Sequence, residues 1–197
     1  MNISSGCPAP NLFYPSKRVK YKSTRHSWPG GYISCIAKVK DIDWKTRKPS
    51  RAGIIIYSRF QDKVLFCVGV DRKSKELTDF GGGVSYKLDK DALTGAIREF
   101  TEESLGVFGG LNPKELQECI VVYTQIMLII FVPMICNPIE ANKLFISRYT
   151  REKVGEVSAL VWMDVESFLT TLYAKKRFYV RVYKLLNPVI LKVLASL

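Results

Sequence analysis

The chain is 197 residues long, with apolar residues at 47% and aromatics at 12%, a composition that supports one packed domain and excludes a disordered or low-complexity chain. Its net charge of +12 is high for a domain of this size and favours polyanions as partners, whether nucleic acid, polyphosphate or an acidic surface. Five cysteines, odd in number and without a C-x-x-C pair, suggest neither a zinc ribbon nor a thioredoxin-like site, and fit a reducing, intracellular compartment.

Residues 1–31 are rich in Ser, Pro, Lys and Asn without periodicity, and read as a basic extension. No charged n-region leading into an apolar segment follows Met1, so no secretory signal is expected. The positive charge is concentrated early: residues 1–51 hold eleven Lys or Arg against Asp41 and Asp43. Ile33–Val39 is a short apolar strand, followed by a charged loop from Asp41 to Arg51. Ala52–Ser58 and Val64–Val70 are β-branched and aromatic-rich strands, joined by the polar turn Arg59–Lys63. Asp79–Val84 forms a glycine-rich strand or loop. Helical periodicity then starts after Asp89, a candidate N-cap, and runs to about Leu105, where Gly106 supplies a stop.

Pro113–Glu118 reads as a short helical connection to strands at Ile120–Tyr123 and Met127–Ile135. The apolar stretch Ile120–Cys136 contains Gln125 and Pro133 and is too short for a membrane span. Val157–Met163 is a further strand and Val165–Ala174 a helix, and Tyr179–Leu197 is amphipathic with a break at Pro188. This order of strands and helices predicts an α/β fold. It divides into the extension 1–31, a main domain over 32–174, and a basic amphipathic segment over 175–197 packed on that domain.

The helix after the glycines carries the chemistry. On a wheel of roughly 100° per residue, Leu93, Ala96, Ile97 and Phe100 share one face and Glu99, Glu102 and Glu103 another. Carboxylates at i, i+3 and i+4 can converge on one point, where a hard divalent cation, Mg²⁺ or Mn²⁺, relieves their repulsion. Arg98 is placed to pair with one of these acids and hold its orientation. Gly82 and Gly83 let backbone approach a phosphate-bearing ligand closely.

The segment Gly83–Val107 resembles the Nudix box, in which Gly is followed after five residues by Glu and after seven more by Arg-Glu-apolar-x-Glu-Glu-x-Gly-apolar. Arg98-Glu-Phe-Thr-Glu-Glu103 matches the core of that pattern. Two departures stand out: Asp89 occupies the place of the first Glu, with eight residues rather than seven between it and Arg98, and Leu105 is an extra residue before Gly106. More weakly, the resemblance spans residues 32–172, with Gly155–Phe168 similar to the family's closing Glu-apolar-x-x-apolar-x-Trp stretch.

The resemblance implies an α/β/α sandwich with a mixed sheet and the box helix against it. It also implies hydrolysis of a diphosphate linkage by Mg²⁺ or Mn²⁺. Glu99, Glu102 and Glu103 would bind metal or activate water, and Glu156 is the candidate for a late loop acid. Lys175, Lys176, Arg177 and Arg181, with aromatics between them, suit a long or highly charged substrate. Capped RNA is the leading candidate, in loose likeness to decapping-type Nudix enzymes of large DNA viruses. A diphosphoinositol polyphosphate and a small nucleotide are the alternatives, and a nucleic-acid-binding module on an inactive Nudix scaffold is the reading from another class. Protein partners are not legible in the sequence.

Overall fold

The computed structural model describes residues 24–26, 34–152, 155–174, 177–186 and 188–197. Most of the expected extension, together with Lys175 and Lys176, lies outside these residues. A nine-stranded mixed sheet is built from β1 (Thr24–His26), β2 (Ser34–Lys38), β3 (Arg51–Phe60), β4 (Lys63–Asp71), β5 (Leu77–Thr78), β6 (Phe80–Gly83), β7 (Ile120–Tyr123), β8 (Met127–Pro133) and β9 (Val157–Asp164). Its main path runs β1-β2-β7-β8-β3-β4-β5, with β6 paired to β3 and β9 to β4. β3 and β8 are parallel, and the other pairings are antiparallel.

β3 is the hub. Its alternation, one side chain to each face of the sheet, sends Ile54 and Ile56 into one core and Ile55 and Tyr57 into the other. The first core receives α1 (Ala92–Glu103) through Leu93, Ala96 and Phe100, and α2 (Pro138–Glu152) through Ala141 and Phe145. The second receives α3 (Val165–Ala174) through Phe168 and Leu172. α4 (Val180–Leu185) and α5 (Pro188–Leu194) complete it with Val182, Leu185, Ile190, Leu191 and Leu194. The sheet therefore has helices on both faces, the expected α/β/α sandwich. Among the described residues no helix is long and apolar enough to cross a membrane.

Several local expectations are corrected. The turn between β3 and β4 is only Gln61-Asp62, both at positive φ (49° and 61°), so the strands extend further than the polar residues suggested. The N-cap of α1 is Asp91, whose side chain accepts from Thr94 N at 2.8 Å; Asp89 is engaged elsewhere. The helix ends at Glu103, not near Leu105. Leu105 and Gly106 both take left-handed φ (53° and 63°), which is how the extra residue in the box is absorbed. Residues 113–118 form turns rather than a helix. α2 was not foreseen, although Asn137 Oδ1 accepts from Ile139 N and Pro138 opens the helix, the combination expected at a helix start.

Candidate active site

The box helix reaches its place because Leu93, Ala96 and Phe100 are buried in the core with Ile54, Ile56 and Phe80, which leaves Glu99 and Glu103 beside the glycines that follow Phe80. At Gly81 and Gly82 the strand β6 runs too close to its neighbours for a Cβ to fit without displacing them. A Cβ on Gly81 would lie 2.3 Å from Gly53 Cα, and one on Gly82 would lie 2.3 Å from Glu99 Oε2. Glu99 and Glu103, one turn apart on α1, thus face consecutive glycines of β6.

Glu103 is 8% exposed, and its Oε2 accepts from Gly81 N at 2.6 Å. Burial pushes its carboxyl up to about 9; the nearby charges of Asp79 and Glu99 add to this, while the Gly81 N–H and Arg51 oppose it. Its ionised form is therefore short of positive charge. Arg51 does not make up the deficit, because it is committed to Asp79. Its two terminal nitrogens donate to the Asp79 carboxylate at 2.7 and 2.8 Å, and one also donates to Gly81 O at 2.9 Å. Asp79 is fully buried and Arg51 nearly so.

Arg98 organises the other carboxylates. Its Nε and one terminal nitrogen each donate to Asp89 at 3.0 Å, and that nitrogen also donates to Gly83 O at 2.9 Å. The other terminal nitrogen donates to Glu99 at 2.8 Å and to Glu102 at 3.3 Å. Asp89 further accepts from Ser85 N at 2.8 Å, which ties the loop before α1 to the same point. Hydrogen bonds from Arg98 hold the Asp89 carboxyl below the usual carboxylate range. Asp89, the residue that departs from the box pattern, is thus the buried anchor of Arg98.

The expectation that all three glutamates meet at one point is not realised in this arrangement. Arg98 draws Glu99 and Glu102, while Glu103 turns to Gly81 N, because these are the nearer positive or hydrogen-bond-donating groups. Among the described residues no three acidic, histidine or cysteine side chains form a ready cation cage. The donor set nevertheless fits a hard divalent ion: carboxylate oxygens only, two of them against bare backbone, one buried and electrostatically unsatisfied.

A pocket of about 260 Å³ opens beside this strand, lined by Gly81, Gly82, Gly83, Glu103, Arg51, Thr78, Asp71, Glu156, Tyr179 and Arg181. The sequence-derived candidates Gly82, Gly83, Glu103, Glu156 and Arg181 are therefore neighbours in space. Glu99 and Glu102 lie on the α1 side of it. Arg177 is exposed and contributes its carbonyl to Leu77 N at 2.6 Å, and so fixes the pocket wall rather than lining it. Tyr179 N in turn donates to Leu77 O at 2.8 Å, and the Arg181 guanidinium lies 5.2 Å from the Tyr179 ring centre. Sequence reading missed Arg51, Asp79, Thr78 and Asp71, and met Tyr179 only as one of the aromatics between the basic residues of 175–184. Strand pairing brings the first four to the site, and the hydrogen bonds to Leu77 bring Tyr179.

No family model matches the sequence, and no curated protein sequence matches it. Among solved structures, a binary complex of a C. elegans Ap4A hydrolase is similar at a TM-score of 0.46 and 16% identity, over 74% of this chain and 96% of that one. A hydrolase of the NUDIX family from Clostridium perfringens is similar at a TM-score of 0.38 and 16% identity, over 73% and 96%. The NUDIX domain of Shewanella oneidensis NrtR, complexed with ADP ribose, is similar at a TM-score of 0.38 and 9% identity, over 62% and 77%.

Proposed function

We propose that the chain is a Nudix-type hydrolase that cleaves a diphosphate linkage with Mg²⁺ or Mn²⁺, the 5′ cap of RNA being its leading substrate. One observation carries the reading. Glu103, within the Arg98–Glu103 run, is buried beside the Gly81–Gly83 strand, short of positive charge, and lines the same pocket as Glu156 and Arg181. Glu99, Glu102 and Glu103 would hold the ion. When bound, it would neutralise the diphosphate and lower the pKa of a water.

The protein's own groups divide the remaining work. Arg98, anchored by Asp89, positions Glu99 and Glu102. Gly82 and Gly83 leave room for a phosphate against backbone. Glu156, which lines the same pocket as Glu103, would accept the proton of the attacking water. Water then attacks one phosphorus and the other phosphoryl group leaves, with stabilisation chiefly electrostatic. Arg181 in the wall, with Arg177, Lys175 and Lys176 before it, would bind substrate phosphates, and Tyr179 offers an aromatic face to a base.

The test is turnover with Mg²⁺ or Mn²⁺ of cap-labelled RNA, free cap dinucleotide, ADP-ribose, nucleoside triphosphates and a diphosphoinositol polyphosphate. Glu103→Gln runs alongside and is expected to lose at least about 100-fold in kcat, as removal of a principal electrostatic group does. Capped nucleoside diphosphate released from RNA alone supports decapping. Turnover of only the small molecules moves the substrate to that class. No turnover with retained RNA binding identifies a binding module, and normal activity of Glu103→Gln refutes the assignment.

A further inference from the structure

Two loops border the glycine strand at its Gly83 end. The first, residues 42–50, runs into β3; the second, residues 84–91, joins β6 to α1. They are fastened to each other: Val84 N donates to Ser50 O at 3.0 Å and Tyr86 Oη to Pro49 O at 2.8 Å. They are fastened to the carboxylate site as well, since Gly83 pairs with Arg51 and accepts from Arg98. The two loops therefore form one surface continuous with the floor of the pocket.

That surface exposes Lys45, Arg47, Lys48, Lys87 and Lys90. Its acids are Asp43, Asp89 and Asp91, and each is already engaged. Asp43 accepts from Lys45 N and Thr46 Oγ1, Asp91 from Thr94 N and Oγ1, and Asp89 from Arg98. Among the described residues no ion pair joins any of the five cations to a carboxylate. The contrast with the nearby strand β2 is informative. There Lys38 and the following Lys40 converge on Glu118, whose carboxyl they hold down to about 2. Among the described residues the five cations of the two loops have no such carboxylate partner within ion-pair distance.

One exposed aromatic ring, that of Tyr86, lies among these cations. Lys48 Nζ lies 5.9 Å from the centre of the Tyr86 ring, and the Arg47 guanidinium lies 4.9 Å from the centre of the buried Tyr123 ring. Exposed cations beside an exposed aromatic ring are the chemistry that tracks a flexible polynucleotide, the cations meeting phosphates and the ring a base. We infer that the surface formed by Lys45–Lys48 and Tyr86–Lys90 is a single-stranded nucleic-acid track that guides a polynucleotide toward the carboxylate site. It rests on the hydrolase reading only for which part of the ligand enters the pocket.

The experiment uses the full chain in EDTA and a fluorescent 5′-hydroxyl oligouridylate of about 20 nucleotides, which carries no diphosphate and cannot turn over. Binding is titrated across a range of KCl concentrations. Each single-strand phosphate contact contributes about 0.7 to the log–log salt slope. The triple variant Lys48→Ala/Lys87→Ala/Lys90→Ala should therefore lower the slope by about 2 and weaken binding on the order of 100-fold near 0.1 M salt. A comparator, Lys63→Ala/Lys114→Ala/Lys143→Ala, removes the same charge from exposed positions elsewhere and should change binding less than about 3-fold. Equal losses in the two variants would mean that net charge alone attracts the oligonucleotide, and would overturn the inference, as would no loss in the first. Leu88 is 79% exposed on the same loop, so phosphatidylserine vesicles are the second probe. Loss of vesicle binding with RNA binding intact would assign the surface to a membrane and overturn the inference. Absence of any turnover with Mg²⁺ refutes the hydrolase reading separately and leaves the binding comparison standing.

Discussion

Asp79→Asn tests the ion pair beneath the site. The replacement keeps the shape of the side chain and removes its charge, which leaves the Arg51 guanidinium buried with a neutral amide. Two charge-assisted hydrogen bonds, at 2.7 and 2.8 Å, lose their anionic acceptor. Breaking a buried pair by neutralising one partner costs about 3–5 kcal/mol. Arg51 is 9% exposed and borders the pocket, so water reaches part of its guanidinium, and the lower end of that range, about 3 kcal/mol, applies. Arg51→Met should cost a similar amount by leaving Asp79 as the orphan. The double variant should cost less than the sum, with a coupling of at least about 1.5 kcal/mol, since residues sharing one hydrogen-bonded pair do not act independently. Urea unfolding followed by tryptophan fluorescence measures all four proteins, each read as a midpoint shift at constant slope. A loss below about 1 kcal/mol for Asp79→Asn, or simple additivity in the double variant, would refute the claim that this pair is desolvated and mutually dependent.

Other outcomes follow from the same geometry. Gly82→Ala places a Cβ 2.3 Å from Glu99 Oε2, at the flexible end of a side chain, so thermal unfolding should shift little while turnover falls at least about 10-fold through displacement of Glu99. Asp89 has a folded pKa below its unfolded value, so its pairing with Arg98 contributes fully above the unfolded pKa of about 3.9 and is lost as pH falls through the folded value. Asp89→Asn should accordingly destabilise the protein at neutral pH and flatten the acid limb of its stability curve; an unchanged acid limb would contradict that role. Without divalent ions, Glu103→Gln should stabilise the fold at pH 7 by on the order of 1–3 kcal/mol, because the carboxyl raised to about 9 disfavours the native state as pH rises above its unfolded value. Differential scanning calorimetry in EDTA would settle this, and a destabilised variant would count against the burial argument.

The periodic elements were legible because each obeys one rule over its whole length. β3, β7 and β8 are continuous apolar runs buried almost throughout, β4 and β9 are β-branched strands beside them, and α3 buries Phe168 and Leu172 one turn apart. The N-cap was not, because Asp89-Lys90-Asp91 offers two equivalent candidates, and only the reach of a carboxylate to Thr94 N separates them. α2 mixes Ile139, Leu144 and Ile146 on its exposed side with Ala141 and Phe145 on its buried side, which blurs the amphipathic signal. In the candidate site, Arg98, Glu99, Glu102 and Glu103 are local in sequence and could be read from it. Arg51 and Asp79 are 28 residues apart and meet only through the β3–β6 register, and Arg51 had been counted with the charged loop. Tyr179 reaches the pocket through two hydrogen bonds between the chain around Phe178 and Leu77, a contact with no local signature.

Those two bonds give the pocket sides of unequal stiffness. Its floor belongs to β3 and β6, and β3 is hydrogen-bonded along both edges and buried on both faces. Its Tyr179 wall hangs on Leu77 and the Phe178 side chain. In hydrogen exchange the amides of Ile54–Ile56 should open only with global unfolding, while those of Leu77 and Tyr179 exchange through a far cheaper local opening. A ligand that fills the pocket would then slow exchange at Leu77 and Tyr179 first, which makes this pair of amides a reporter of occupancy that needs no turnover.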